Sequence, residues 1–281
     1  MLIRSLMVLA LLLTQFTSPL VAIPPAQAQD QQIGIPELMQ ATALDVVFTQ
    51  FGPTIASSAR AQDISRDEIF LKHWEATANS VFDADDLHRR LTRSLEGKFF
   101  PEEQSALGAF FHAELGQRLT ELERQAALLE PQALGPAISQ GERLVDEASV
   151  IRKTQIDALM ELVSAEISAA MVGQSVRALL LGLSVSHQHG DIAVPWQEID
   201  TQVQAMMPGL LTDVSNTQRA MMAYAYRNLS DGDLDRYIEF LRTPAAQKFY
   251  AVATYAIGRI VADGMSAFGE AFAARMQSVN V

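Results

Sequence analysis

The sequence predicts an all-α protein built from two related helical units, and three observations predict it. Nearly every periodic stretch repeats its apolar residues at helical spacing. No run of alternating β-branched residues is long enough for a strand. The chain also aligns with itself at a fixed offset. Apolar residues make up 49% of the 281, and charged residues 19%, below the roughly 25% usual in globular domains, so the composition is that of a folding chain.

Taken in order, Arg4 and the apolar run Leu6 to Leu13 lead to Pro24-Pro25 and the small-residue pattern Ala26-Gln27-Ala28. This reads as an export signal over 1–28, cut between Ala28 and Gln29. An uncleaved anchor is the alternative, but Thr14, Gln15, Thr17, Ser18 and Pro19 interrupt the run before about 20 apolar residues accumulate. The expected location is therefore the periplasm or the outside of the cell. Helices are expected over Pro36 to Arg60, Arg66 to Ser80, Ala84 to Glu96, Pro101 to His112 and Glu114 to Leu129. Pro131, Gly135 and Pro136 should break the pattern. A long helix from Gly141 to Leu183 should then join two units, 29–136 and 137–281. Pro195 to Met207, Asp213 to Arg227, Asp231 to Arg242 and Pro244 to Met276 complete the set. Ser230 with Asp233 reads as a capping box, and Thr243-Pro244 places a hydroxyl before a proline at a helix start. Leu234, Tyr237, Ile238 and Leu241 should face inward.

The repeat aligns Phe110 to Leu119 with Phe240 to Phe249, without a gap, at an offset of 130. The stripe Leu115, Leu119, Leu122 and Ala126 matches Ala245, Phe249, Val252 and Ala256. Upstream, Leu38-Met39 and Gly52 match Leu159-Met160 and Gly173 at an offset of 121, so the second copy carries nine more residues, around Ser184 to Pro195.

The stretch Leu229-Ser230-Asp231-Gly232-Asp233-Leu234, continuing through Ile238 to Phe249, resembles the core of the bacterial domain of unknown function 2059 family over about 60 residues of the second copy. The resemblance implies an exported, all-helical protein and supplies no catalytic residue. In the first copy Glu114 stands where the second has Pro244, and Phe100-Pro101 where it has Ser230-Asp231.

A formal net charge of −12 speaks against nucleic acid and against anionic membrane surfaces as partners. The absence of cysteine removes disulfides, zinc–thiolate sites, iron–sulfur clusters and a cysteine nucleophile. No P-loop, H-E-x-x-H or G-x-G-x-x-G occurs, and Gly264-Met265-Ser266-Ala267-Phe268 lacks the last glycine of a nucleophile elbow. No cofactor is implied. Asp231, Asp233 and Asp235 open like a calcium loop, but Arg236 and Arg242 occupy its glycine and glutamate positions. The acids around Asp83, Asp85 and Asp86 fail likewise, with His88 and Ser94 at those positions. Helix capping accounts for both clusters. His73-Trp74-Glu75 and His112-Ala113-Glu114 lack the cysteines a deaminase needs.

Three features keep two readings each. His187 and His189 are either a solvated loop or a Zn or Cu site that Asp191, Glu198 or Asp200 would complete. Tyr224, Tyr226, Tyr237, Tyr250 and Tyr255, with Met206, Met207, Met221 and Met222, are either core or the lining of an apolar pocket. Ile257, Val261, Met265, Phe268, Phe272 and Met276, beside the small residues Gly258 and Ala262, either pack on their own domain or bind a partner or a second copy through the C-terminal helix. The sequence favours a non-catalytic exported accessory or interaction protein, chaperone-like in character. A binder of a small apolar ligand or lipid is second, and metal binding by the histidine loop third.

Overall fold

A computed structural model describes residues 33–61, 63, 65–162 and 196–279, and every regular element among them is helical. The all-α class is therefore the observed one. The order is α1 (Ile35–Ala41), a 3-10 turn (Leu44–Val46), α2 (Phe51–Ala61), α3 (Glu68–Val81), α4 (Ala84–Leu95), α5 (Pro101–Phe111), α6 (Glu114–Ala127), α7 (Pro131–Glu147), α8 (Val150–Leu162), α9 (Trp196–Ala225), α10 (Asp231–Leu241) and α11 (Pro244–Val279).

Helix bounds differ from the sequence reading at several points. Pro36 to Arg60 is interrupted, because Thr42 turns its hydroxyl onto the Leu38 carbonyl at 2.8 Å and Ala43 adopts a left-handed φ of 54°. Pro131 starts α7 instead of ending the pattern, since a first-turn residue needs no N–H partner. Gly135 and Pro136 lie inside that helix, so the expected unit boundary at 136/137 falls within α7. The expected Gly141–Leu183 helix stops at Glu147. Ala148 is extended there, and the Ser149 hydroxyl accepts the Arg152 N–H at 3.1 Å to start α8 as an N-cap. Residues beyond Leu162 lie outside the described part. Finally, the helices expected to either side of Pro208 are one helix, α9, with the proline inside it.

One apolar core runs through both halves. α11 lies along α3 and α4, where Trp74 meets Phe268 edge-on at 4.7 Å and Phe272 at 5.4 Å. The Trp74 indole donates to the Ile55 carbonyl at 2.8 Å, which fixes α2 against α3. Ile257, Val261, Met265, Phe268 and Phe272 are buried by their own chain in this way. α9 packs on α7 and α8, and α10 on α8. The α7–α9 contact is backbone to backbone: a Cβ on Gly141 would sit 1.9 Å from the Ala220 carbonyl oxygen.

Helix pairs α5–α6 and α10–α11 share local geometry at the offset of 130. The N–H groups of His112 and Arg242 bond to Gly108 and Ile238, and those of Ala113 and Thr243 to Phe110 and Phe240. The pairs also face each other. Phe110 stacks on Phe240, its own counterpart, at 3.6 Å and 3°. Arg118 pairs with Asp233 at 3.5 Å, and the counterparts exchange the same bond, Lys248 to Glu103, at 2.6 Å. The two ion pairs are thus reciprocal at the offset of 130.

Candidate functional site

A pocket of about 350 Å³ opens where α7 turns into α8 over the ends of α9 and α10. Its size is at the lower end of small-ligand sites, which run from roughly 300 to 1,000 Å³. Leu144, Ile156, Met222 and Leu234 give it apolar walls, Tyr226 an aromatic residue, and Glu147, Arg152, Arg227 and Asp231 its charges. Local sequence explains the shape. Ser149 caps α8 and so throws Arg152 toward α10, where the guanidinium donates to the Leu229 carbonyl at 2.6 Å and pairs with Asp231 at 2.8 Å. One turn on, the Gln155 amide donates to the Asp231 carbonyl and the Asp235 carboxylate, each at 2.8 Å. Arg227 lies over the Tyr224 ring at 4.1 Å and donates to the Tyr224 carbonyl.

Beneath the pocket sits a buried polar cluster. Glu123 of α6 is 8% exposed, and its Oε1 accepts from the hydroxyls of Tyr226 at 2.8 Å and Tyr237 at 2.9 Å. The Tyr237 and Tyr250 hydroxyls lie 3.5 Å apart. Burial raises the Glu123 carboxyl above its ordinary pKa, although the two tyrosine hydrogen bonds pull the other way. Burial and the Glu123 charge together push the phenols of Tyr226, Tyr237 and Tyr250 upward. Tyr226 thus belongs to both places, lining the pocket while its hydroxyl holds Glu123.

The structure distributes the sequence-derived candidates as follows. His187, His189 and Asp191 lie outside the described residues, as do the side chains of Glu198 and Asp200. Among the described residues no group of three or more His, Cys, Asp or Glu could hold a metal ion. Of the acids in the aborted calcium pattern, Asp233 makes the capping box with Ser230, while Asp231 and Asp235 tie α10 to α8. Asp83 caps α4 by accepting the Asp86 N–H at 2.8 Å. His112 lies 3.3 Å from Glu37 of α1. Ser266 sits in mid-α11. The tyrosine set divides: Tyr226, Tyr237 and Tyr250 are buried, Tyr255 is 70% exposed, and Tyr226 and Met222 line the pocket, while the side chains of Met206 and Met207 lie outside the described residues.

Sequence reading missed Glu123. A signal existed, because Glu123 follows the fully buried Leu119 by four residues and so shares its face. The pocket draws on four helices and has no contiguous signature.

No family model, no curated protein and no solved structure matches this chain.

Proposed function

We propose that this chain is a non-catalytic, exported helical accessory protein that works by binding a protein partner at the α7–α8 pocket. The observation that carries the reading is how the pocket is furnished: apolar walls, with Arg152, Asp231 and Ser149 already spent on holding the fold. Arg152 bridges Leu229 and Asp231, and Ser149 caps a helix. None of these groups is poised as a nucleophile with a base beside it, the arrangement covalent chemistry requires. Val150 and Ile151, between the lining residues Ser149 and Arg152 in sequence, are 81% and 60% exposed and apolar. Export is supported by residues 1–28 and by the resemblance at Leu229–Phe249, and the net charge of −12 disfavours nucleic acid and anionic lipid surfaces. No helix among the described residues is long and apolar enough to cross a membrane. Descent of the two helix pairs from one unit is part of the same proposal, supported by their reciprocal contacts.

A photo-crosslinking side chain at Ile151, in cells expressing the full chain, tests it. The expected result is a discrete adduct with one protein, lost when Ala223→Trp fills the pocket. A ladder of unrelated adducts, or none, would overturn it. The second reading, a small apolar ligand held by Leu144, Ile156, Met222 and Leu234, predicts added mass in a native spectrum of the purified protein.

A further inference from the structure

We infer that the pocket takes an organic cation on an apolar stem, an ammonium or guanidinium seated against Glu147 with its carbon chain on Leu144, Ile156 and Met222. The inference rests on the binding role proposed above. Of the four charged groups at the pocket, three are committed: Arg152 to Asp231 and the Leu229 carbonyl, Asp231 to Arg152, and Arg227 to the face and carbonyl of Tyr224. Glu147 is left over. No Lys, Arg or His lies within ion-pair distance of it among the described residues.

Its position adds to the imbalance. Glu147 ends α7, where unsatisfied carbonyls carry the equivalent of roughly half a negative charge, and the last turn of that helix holds no basic residue. A cation seated there would complement the negative end of the helix. Lys153 covers part of that helix end by donating to the Asp146 carbonyl at 2.9 Å, and it does not reach the Glu147 carboxylate. An anionic ligand would meet the opposite situation, having to pull Arg152 off Asp231 or Arg227 off Tyr224. An aromatic residue in the lining, Tyr226, suits a cation further, and the net charge of −12 draws one in. The same chemistry has two sources, a free amphiphilic amine and a Lys or Arg side chain of a partner protein, whose stem and head are apolar and charged in the same order.

Titration calorimetry on the full chain at low ionic strength, with octylammonium, octanoate and a short peptide carrying leucine beside lysine, tests the inference. Octylammonium should bind saturably and octanoate should not. Glu147→Gln should weaken octylammonium by about fivefold, the scale of one partly exposed charge pair. Glu142→Gln, which removes an exposed charge elsewhere on α7, should leave binding unchanged and serves as the control for the general field. Both glutamates are exposed, so both variants should fold. Peptide binding that also depends on Glu147 points to a protein-borne cation, and octylammonium binding without it to a free amine; either supports the cation class. Octanoate binding as tight as octylammonium, equal effects of the two variants, or no binding by any probe would overturn it. If every probe fails while the Ile151 adduct persists, the binding role stands and the cation falls. If octylammonium binds in a Glu147-dependent way and no adduct forms, the site stands and the protein partner falls.

Discussion

The α5–α6 and α10–α11 pairs hold the same turn with different residues. Ser230 and Asp233 cap α10 from both sides, whereas α5 keeps half of that device, the Glu103 carboxylate accepting the Phe100 N–H at 2.8 Å. At the next helix start a Cβ on Gly116 would lie 2.2 Å from the Phe110 carbonyl, while its counterpart Ala246 carries one, fully buried. The first turn is therefore the tighter. Further along, the counterpart of Glu123 is Ala253, buried without a polar group. Beyond Leu128 the first pair begins a new helix at Pro131, while α11 continues without a break to Val279. The contacts between the two pairs match at the offset of 130, and the positions away from those contacts differ.

The comparison can be broken first at its centre. Phe240 is 9% exposed and packs on both Phe110 and Phe111. Phe240→Ala should cost about 3–5 kcal/mol, the range for a buried aromatic. Phe110→Ala, at a half-buried site, should cost clearly less. Urea unfolding of the two variants measures both, and equal losses would mean that the two sides of the stack are not ranked by burial.

Glu123 against Ala253 gives the next effect. Because the native carboxyl has a raised pKa, the folded state keeps a proton that the unfolded chain releases. The contribution to stability is whole below the ordinary carboxyl pKa and is lost as pH rises through the native value. Glu123→Gln keeps an acceptor for the Tyr226 and Tyr237 hydroxyls and cannot titrate, so its stability should decline less as pH rises above the ordinary carboxyl range. Parallel profiles for the two proteins would remove Glu123 from the account.

The smallest effect concerns the exchanged ion pairs. Lys248 and Glu103 are 33% and 24% exposed, while Arg118, at 49%, is the more open side of the other pair. Double-mutant cycles should give a coupling of at most about 1 kcal/mol for Lys248–Glu103 and less for Arg118–Asp233. The reverse order would show that exposure does not set the difference.

What the sequence disclosed follows from range. The helical class, the capping box at Ser230 and the inward face of Leu234, Tyr237, Ile238 and Leu241 depend on residues three or four apart, and all are observed. Proline misled at Pro131, where one residue type both ends helices and begins them and the choice depends on what packs afterward. Ser149 was a cap hidden inside a periodic stretch. The pocket and the Glu123 cluster depend on side chains about a hundred residues apart, Glu123 with Tyr226 among them, so they become visible when the helices are assembled.

The contact at Gly141 has a consequence for how anything reaches that pocket. Where α7 crosses α9 the two backbones touch, and no side chain lies between them to swing aside. Parting the helices there means breaking the seam whole, so α7 and the facing stretch of α9 should open as a single cooperative segment rather than by local fraying. On the binding role proposed above, the cavity at the end of α7 would then be shaped before a partner arrives.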